Sequence, residues 1–509
     1  MMRAARLALF AGGVAGSFFA NGARADEAAA AAPPPAEAPA ARGGPAPPAR
    51  DGELAPRDDL QPGKKRKPQD YTGRRPESSA DAALWVPRVL FFPLYVVAEY
   101  FLRIPLGELT VAVEENDVIN AIQNFFVFGP NKNIGLVPTA FVDFGLRPSI
   151  GLYFFYDDFI VPKNDLRASF GFGGIRFWRA SVADRIPLST TVGTERERSY
   201  LQIEADFLDR ADLRYWGMGP HTSERDIAGF SVLTAGGGLR AHIEPWRATF
   251  LEAWVTGRYT TTGPGECADS LVTVTETEIA RRCDPPTVRR RMLDGAAPPA
   301  HYGRPYATLK TGVRAAYDSR DPRPAPGTGL AFEASVEQVA DVDAPHIGNW
   351  LNYGAWVGGF IDITGTQRVL SLEITAAFQD ILTPDTTIPF TEVVGAKHIE
   401  DVPDLDMMRG FLPGRLLGSS AVAATIQYRW PIWAFLDGTI QAAVGNSFNG
   451  SHLEDFSPEK LRFSFVAGFR SPNHRDHSFN FLAGFGTDPF DQGGAVSSVR
   501  LLVGGTTGF

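Results

Sequence analysis

Ala307-Thr308-Leu309-Lys310-Thr311-Gly312-Val313-Arg314-Ala315-Ala316-Tyr317-Asp318 repeats with a period of two. Ala307, Leu309, Thr311, Val313, Ala315 and Tyr317 share one face, and Thr308, Lys310, Gly312, Arg314 and Asp318 the other. Successive side chains of an extended chain point to opposite sides, so this spacing predicts a strand with one apolar and one polar face. The same phase returns at Leu201–Phe207, Leu370–Phe378, Val422–Trp430, Leu461–Phe469 and Val499–Val503. Helical spacing is nearly absent from residue 132 onward.

Alternation admits two architectures. A soluble sandwich turns its apolar faces inward, whereas a membrane barrel turns them to lipid and its polar faces to the lumen. The polar faces here carry charges in strand after strand, and Gly and aromatic residues recur near the strand ends. Both features favour the barrel, because a charged lumen wall and aromatic girdles at the lipid–water boundaries are its signature. Residues 132–509 suffice for about 16 tilted strands of about ten residues each. The expected fold class is therefore all-β, a transmembrane antiparallel β-barrel with a short helical segment before it.

The 509 residues include 52 Gly, 39 Pro and only 2 Cys, which excludes a disulfide-rich scaffold. Residues 1–25 read as a secretory signal peptide: Arg3 and Arg6, the apolar Leu7–Ala20, then Ala23-Arg24-Ala25 as a cleavage site. Removing those three arginines takes the net charge from −9 to −12, a balance opposed to nucleic-acid binding. Residues 26–80 are Ala/Pro-rich and then charged, too poor in large apolar side chains to offset their chain entropy, and read as a disordered periplasmic linker. Residues 81–131 read as a short helical or plug-like segment, with candidate helices over Leu94–Ile104 and Asp117–Phe126. Two long insertions interrupt the barrel pattern, residues 258–304 and 381–418. The first holds Cys267 and Cys283, which are expected to close a disulfide after export.

Signals for chemistry are weak. The 8 His show no HExxH spacing, and Ser419 and Ser420 lack a Gly-x-Ser-x-Gly context. Gly171–Gly174 and Gly236–Gly238 precede strands, so they are not phosphate loops. The expectation is a non-enzymatic protein without a cofactor.

Four motifs in order carry a resemblance: Tyr215-Trp216-Gly217-Met218-Gly219; Asp318, Arg320 and Asp321 followed by Pro326 and Gly329; Met408-Arg409-Gly410-Phe411; and Phe435-Leu436-Asp437. With the terminal aromatic Phe509 as a barrel end signal, residues 132–509 resemble the bacterial surface-antigen superfamily of outer-membrane barrels, which includes the BamA/TamA assembly factors and two-partner secretion transporters. The resemblance implies a bacterial outer-membrane location, a single-chain monomeric barrel in contact with outer-membrane lipid, and a part in inserting or translocating client proteins or handling lipids. A passive porin-like channel is the alternative. It also implies a loop folded into the lumen and locked by Arg409, Gly410 and Phe411, with Asp437 as the carboxylate for Arg409. Arg suits that task, since its planar fork of donors pairs bidentately with a carboxylate. Residues 81–131 lack the pattern of the periplasmic transport-associated domains common in the family, so a member without them is expected.

Overall fold

The computed structural model describes residues 125–129, 131–143, 145–188, 199–246, 248–265, 285–320, 327–342, 348–395, 407–433, 436–471 and 478–506. Sixteen of the strands among them form one closed antiparallel barrel. In chain order they are β1 (Ile134–Asp143), β2 (Ser149–Asp157), β3 (Asp165–Gly174), β4 (Phe177–Pro187), β5 (Tyr200–Tyr215), β6 (Ala228–Ile243), β7 (Thr249–Gly263) and β8 (Tyr306–Asp318). They continue with β9 (Gly329–Asp341), β10 (Asn349–Asp362), β11 (Val369–Ile381), β12 (Ser420–Trp433), β13 (Leu436–Phe448), β14 (Arg462–Arg470), β15 (Ser478–Thr487) and β16 (Val496–Thr506). Each strand pairs with its sequence neighbours, and β16 returns to β1. Closure removes the sheet edges that would otherwise leave backbone donors and acceptors bare in lipid.

Burial settles the choice that alternation left open. On β8, Leu309, Val313 and Tyr317 are outward and exposed, whereas Thr308 is 1% exposed on the inner face. Leu370, Leu372 and Ile374 on β11 are exposed, while Ser371, Glu373 and Thr375 between them are buried. The polar face is inside and the apolar face outside. In water such a surface is unfavourable by about 25 cal/mol per Å² of apolar area, and in a bilayer that penalty vanishes. Phe170, Trp178, Phe332 and Phe479 add exposed aromatics to the outer surface.

The connections alternate between two ends. The long ones, residues 216–227, 264–305, 382–419 and 449–461, share the loop end with the short turns 144–148 and 175–176. The opposite, turn end carries 158–164, 188–199, 244–248, 319–328, 363–368, 434–435 and 471–477. At the start of the described chain, Phe125 and Phe126 are helical. Val127–Phe128 then pairs antiparallel with Gly135 and Ile134 of β1. The signal peptide, the linker and most of the segment 81–131 lie outside the described residues, as do Cys267, Cys283, Asp321, Phe435 and Phe509.

The ladders differ sharply in length. The β5–β6 ladder has 14 register pairs and the β14–β15 ladder 7. Among the described residues the β16–β1 ladder has 3: Leu502 with Asp143, Val503 with Val142, and Gly504 with Phe141. β1 ends at Asp143 opposite Leu502, so the start of β16, from Val496 to Leu501, extends beyond it.

Candidate functional site

The lumen has two unlike walls. Over β5–β10 it is charged. Glu252 on β7 accepts from Arg240 on β6 at 2.5 Å and from Arg314 on β8 at 2.7 Å. Arg240 also reaches Glu204 at 3.4 Å, Arg314 reaches Glu333 at 3.3 Å, and Asp206 pairs with Arg258 at 2.9 Å. Trp254 and Asn352 donate to the two oxygens of Glu337 at 2.9 and 3.0 Å. Alternating signs on neighbouring strands satisfy each charge across the ladder, which a low-dielectric interior demands.

The other wall, β9–β13, is lined by Ala331, Trp356, Phe360, Val369, Ala377, Ala421, Ala423 and Ala443. Against it pack Val394, Met407, Met408, Phe411 and Leu416, all from the insertion between β11 and β12. These described residues of the insertion therefore lie inside the barrel. Its first arm is tied to both walls: Lys310 on β8 donates to Glu392 at 2.6 Å, and Gln379 on β11 donates to the Glu392 carbonyl at 2.7 Å. Its two arms meet in a short ladder pairing Val394 with Gly418 and Gly395 with Leu417.

At its tip, the backbone N–H of Gly410 donates to Ser464 Oγ on β14 at 2.9 Å. Ser498 on β16 donates to the Gly410 carbonyl at 3.0 Å. A Cβ on Gly410 would stand 2.0 Å from the Phe485 carbonyl on β15, so only glycine lets the loop lie this close to the wall. The Phe411 ring is 1% exposed and covers Gly486, where a Cβ would again collide with it at 2.4 Å. Arg409 and Asp437 are both buried, at 9% and 4% exposure, and neither is free. Asp437 stands at the start of β13, the register partner of Arg470 on β14.

The loop's second arm docks on another of the sequence motifs. Arg415, 1% exposed, donates to Thr222 Oγ1 at 2.5 Å and to the Thr222 carbonyl at 2.9 Å, and its guanidinium lies 5.8 Å from the Trp216 ring centroid. Gly219 N–H donates to the Leu417 carbonyl at 2.7 Å. Arg462 at the start of β14 holds the Pro220 carbonyl at 2.9 Å. Residues 215–219 and the loop, nearly 200 positions apart, are thus one packed unit. Trp216 also donates to Glu224 at 3.1 Å. Burial pushes the Glu224 carboxyl above its usual range, against the opposing pull of Arg415.

The remaining motif sits at the turn end and orders it. Arg320 forks onto Asp318 with two contacts of 2.9 Å, its own backbone N–H donates to Asp318 at 3.0 Å, and its guanidinium stacks 4.5 Å from the Phe360 ring centroid. A Cβ on Gly329 would meet Arg320 N at 2.8 Å, so the two ends of the turn lie in contact.

Two residues essential to this geometry carry no motif: Arg500 on β16 and Asp143 on β1. Asp143 is fully buried, and Arg500 grips both its oxygens at 2.9–3.2 Å across the short ladder. The same guanidinium donates to the carbonyls of Phe411 at 2.9 Å and Arg409 at 3.4 Å. An inward charge in the alternation Val499-Arg500-Leu501 was the one available signal, and many strands carry such a charge.

No family profile matches this chain, and no curated protein matches it. Among solved structures it is similar to BamA from Haemophilus ducreyi lacking POTRA domains 1–3, at 12% identity and TM-score 0.48, over 73% of this chain and 70% of that one. It is also similar to CdiB from Acinetobacter baumannii (9% identity, TM-score 0.41) and CdiB from Escherichia coli (10%, 0.42). Each of these two matches covers 73% of this chain, and 59% and 62% of the respective CdiB chain.

Proposed function

We propose that this barrel lies in the bacterial outer membrane and takes part in insertion or translocation of client proteins, or in lipid handling, by opening the seam between β16 and β1. The observation that carries the reading is the seam itself. Among the described residues three register pairs close it, against 7 to 14 in every other ladder of the barrel. Backbone hydrogen bonds are what holds neighbouring strands together in lipid, so the barrel opens first where they are fewest. The freed edges of β1 and β16 present rows of N–H and C=O groups that a client strand matches by β-augmentation. No covalent chemistry is required. In the usual orientation of such barrels the loop end faces outward and the turn end the periplasm.

The seated loop fits the same reading. Gly410 and Phe411 seat the tip on β14–β16, and with Arg409 assigned to Asp437 on β13 the loop buttresses the strands that flank the seam. The four ordered motifs support this assignment, and the loop residues packed inside the barrel disfavour a wide passive pore.

The test is Arg409→Ala in the native host, with outer-membrane fractionation and heat-modifiable gel mobility as checks on the barrel. Loss of client assembly from a barrel that still forms supports the proposal. Larger conductance with client assembly intact assigns the protein to passive channels instead. A protein recovered from the aqueous fraction rules out both.

A further inference from the structure

Arg500 makes two kinds of contact at once. Its Nε and Nη2 hold Asp143 across the seam, and its Nη1 holds the carbonyls of Phe411 and Arg409 in the lumen loop. Asp143 is 0% exposed, and Arg500 supplies its carboxylate contacts. It is also the last residue of β1 and belongs to one of the three pairs of the seam. A planar guanidinium binds in two directions only while both acceptors stay in its plane. Movement of either partner therefore tilts the fork away from the other.

We infer that Arg500 is a latch through which the seated loop tip holds the seam closed, so that lifting residues 409–411 off the wall loosens the β16–β1 ladder and opening the seam loosens the loop. This rests on the reading that the seam opens, and it adds the element that controls opening. Coupling of this kind is reciprocal: each site shifts the other by the same factor.

Ser464 allows the test at a distance. It lies on β14, two strands from β16, and contacts neither Arg500 nor Asp143. Its hydroxyl accepts the Gly410 N–H at 2.9 Å. The experiment is amide hydrogen exchange by mass spectrometry on the full-length barrel in lipid nanodiscs, comparing wild type, Ser464→Ala, Arg500→Lys and Asp143→Asn. Retained heat-modifiable mobility shows that each barrel has formed. Lysine keeps the charge of Arg500 but cannot fork onto both partners.

Arg500→Lys is expected to raise exchange about tenfold both at 141–143 with 502–504 and at 407–411, the effect of losing one charge-assisted contact. Asp143→Asn is expected to raise exchange at 407–411. Ser464→Ala is expected to raise exchange at the seam, with the β5–β6 ladder unchanged. If Ser464→Ala leaves the loop protected, Gly410→Ala replaces it as the remote perturbation, since its Cβ meets the Phe485 carbonyl at 2.0 Å. A loosened loop beside an unchanged seam overturns the latch. So does a loosened seam beside an unchanged loop in Arg500→Lys. If Arg500→Lys does not assemble, the remote variants decide alone. Client assembly is scored separately. Coupled exchange in variants that assemble clients normally keeps the latch and removes the proposed function, whereas uncoupled exchange with defective assembly removes the latch and keeps the function.

Discussion

Gly410→Ala adds a single carbon, and the surroundings fix its consequence. The new Cβ would lie 2.0 Å from the Phe485 carbonyl and 2.8 Å from Ser464 Oγ. Phe485 is held on both sides, by Phe465 on β14 and Val499 on β16, so the wall cannot retreat without breaking a ladder. The loop tip must lift instead. Lifting forfeits the Gly410–Ser464 and Ser498–Gly410 hydrogen bonds and the Arg500–Phe411 contact. Two neutral bonds at about 1 kcal/mol each and one charge-assisted bond at about 2 kcal/mol give about 4 kcal/mol. The ratio of seated to lifted loop then falls by about a thousandfold. Amide protection over 407–415 reads this directly, and limited proteolysis of the loop reads it independently. Gly257→Ala is the matched control, because a Cβ there meets nothing within 4 Å. A Gly410→Ala barrel whose loop is as protected as wild type would refute the close approach on which the seating argument stands.

Three further outcomes follow from the same geometry. Glu252→Gln leaves Arg240 and Arg314 without their shared carboxylate and is expected to destabilise the barrel by about 2–3 kcal/mol, seen as a lower temperature for loss of the compact gel form. Glu224 should make the 216–227 loop pH-sensitive. Its carboxyl binds a proton more readily folded than unfolded, so stability is present at acidic pH and is lost as pH rises through the raised pKa. Protection over this loop, taken relative to the intrinsic exchange rate at each pH, should therefore rise as pH is lowered, and Glu224→Gln should flatten that profile. Removing the loop tip, residues 407–415, should raise single-channel conductance by withdrawing Met407, Met408 and Phe411 from the lumen. Unchanged conductance would mean that another segment fills the same space.

Period-two alternation was enough to specify strands, and inward charges such as Lys310 and Arg314 were enough to favour a barrel over a sandwich. Both are local properties, fixed by the side-chain direction of an extended chain. The long insertions were equally legible, because they break that period. Gly410 could be marked as a close approach from its motif alone. What no local pattern contains is the partner. That Arg415 docks on Thr222 and Trp216, that Gly410 meets Phe485, and that Arg500 spans from Asp143 to Phe411 depend on how the closed barrel brings distant strands side by side. The weak seam is of the same kind: β1 and β16 each read as ordinary strands, and only closure sets their offset. Sequence determined which faces are apolar and which residues are charged; the tertiary structure alone decided which charges meet, because register around a ring is a global constraint that no single strand encodes.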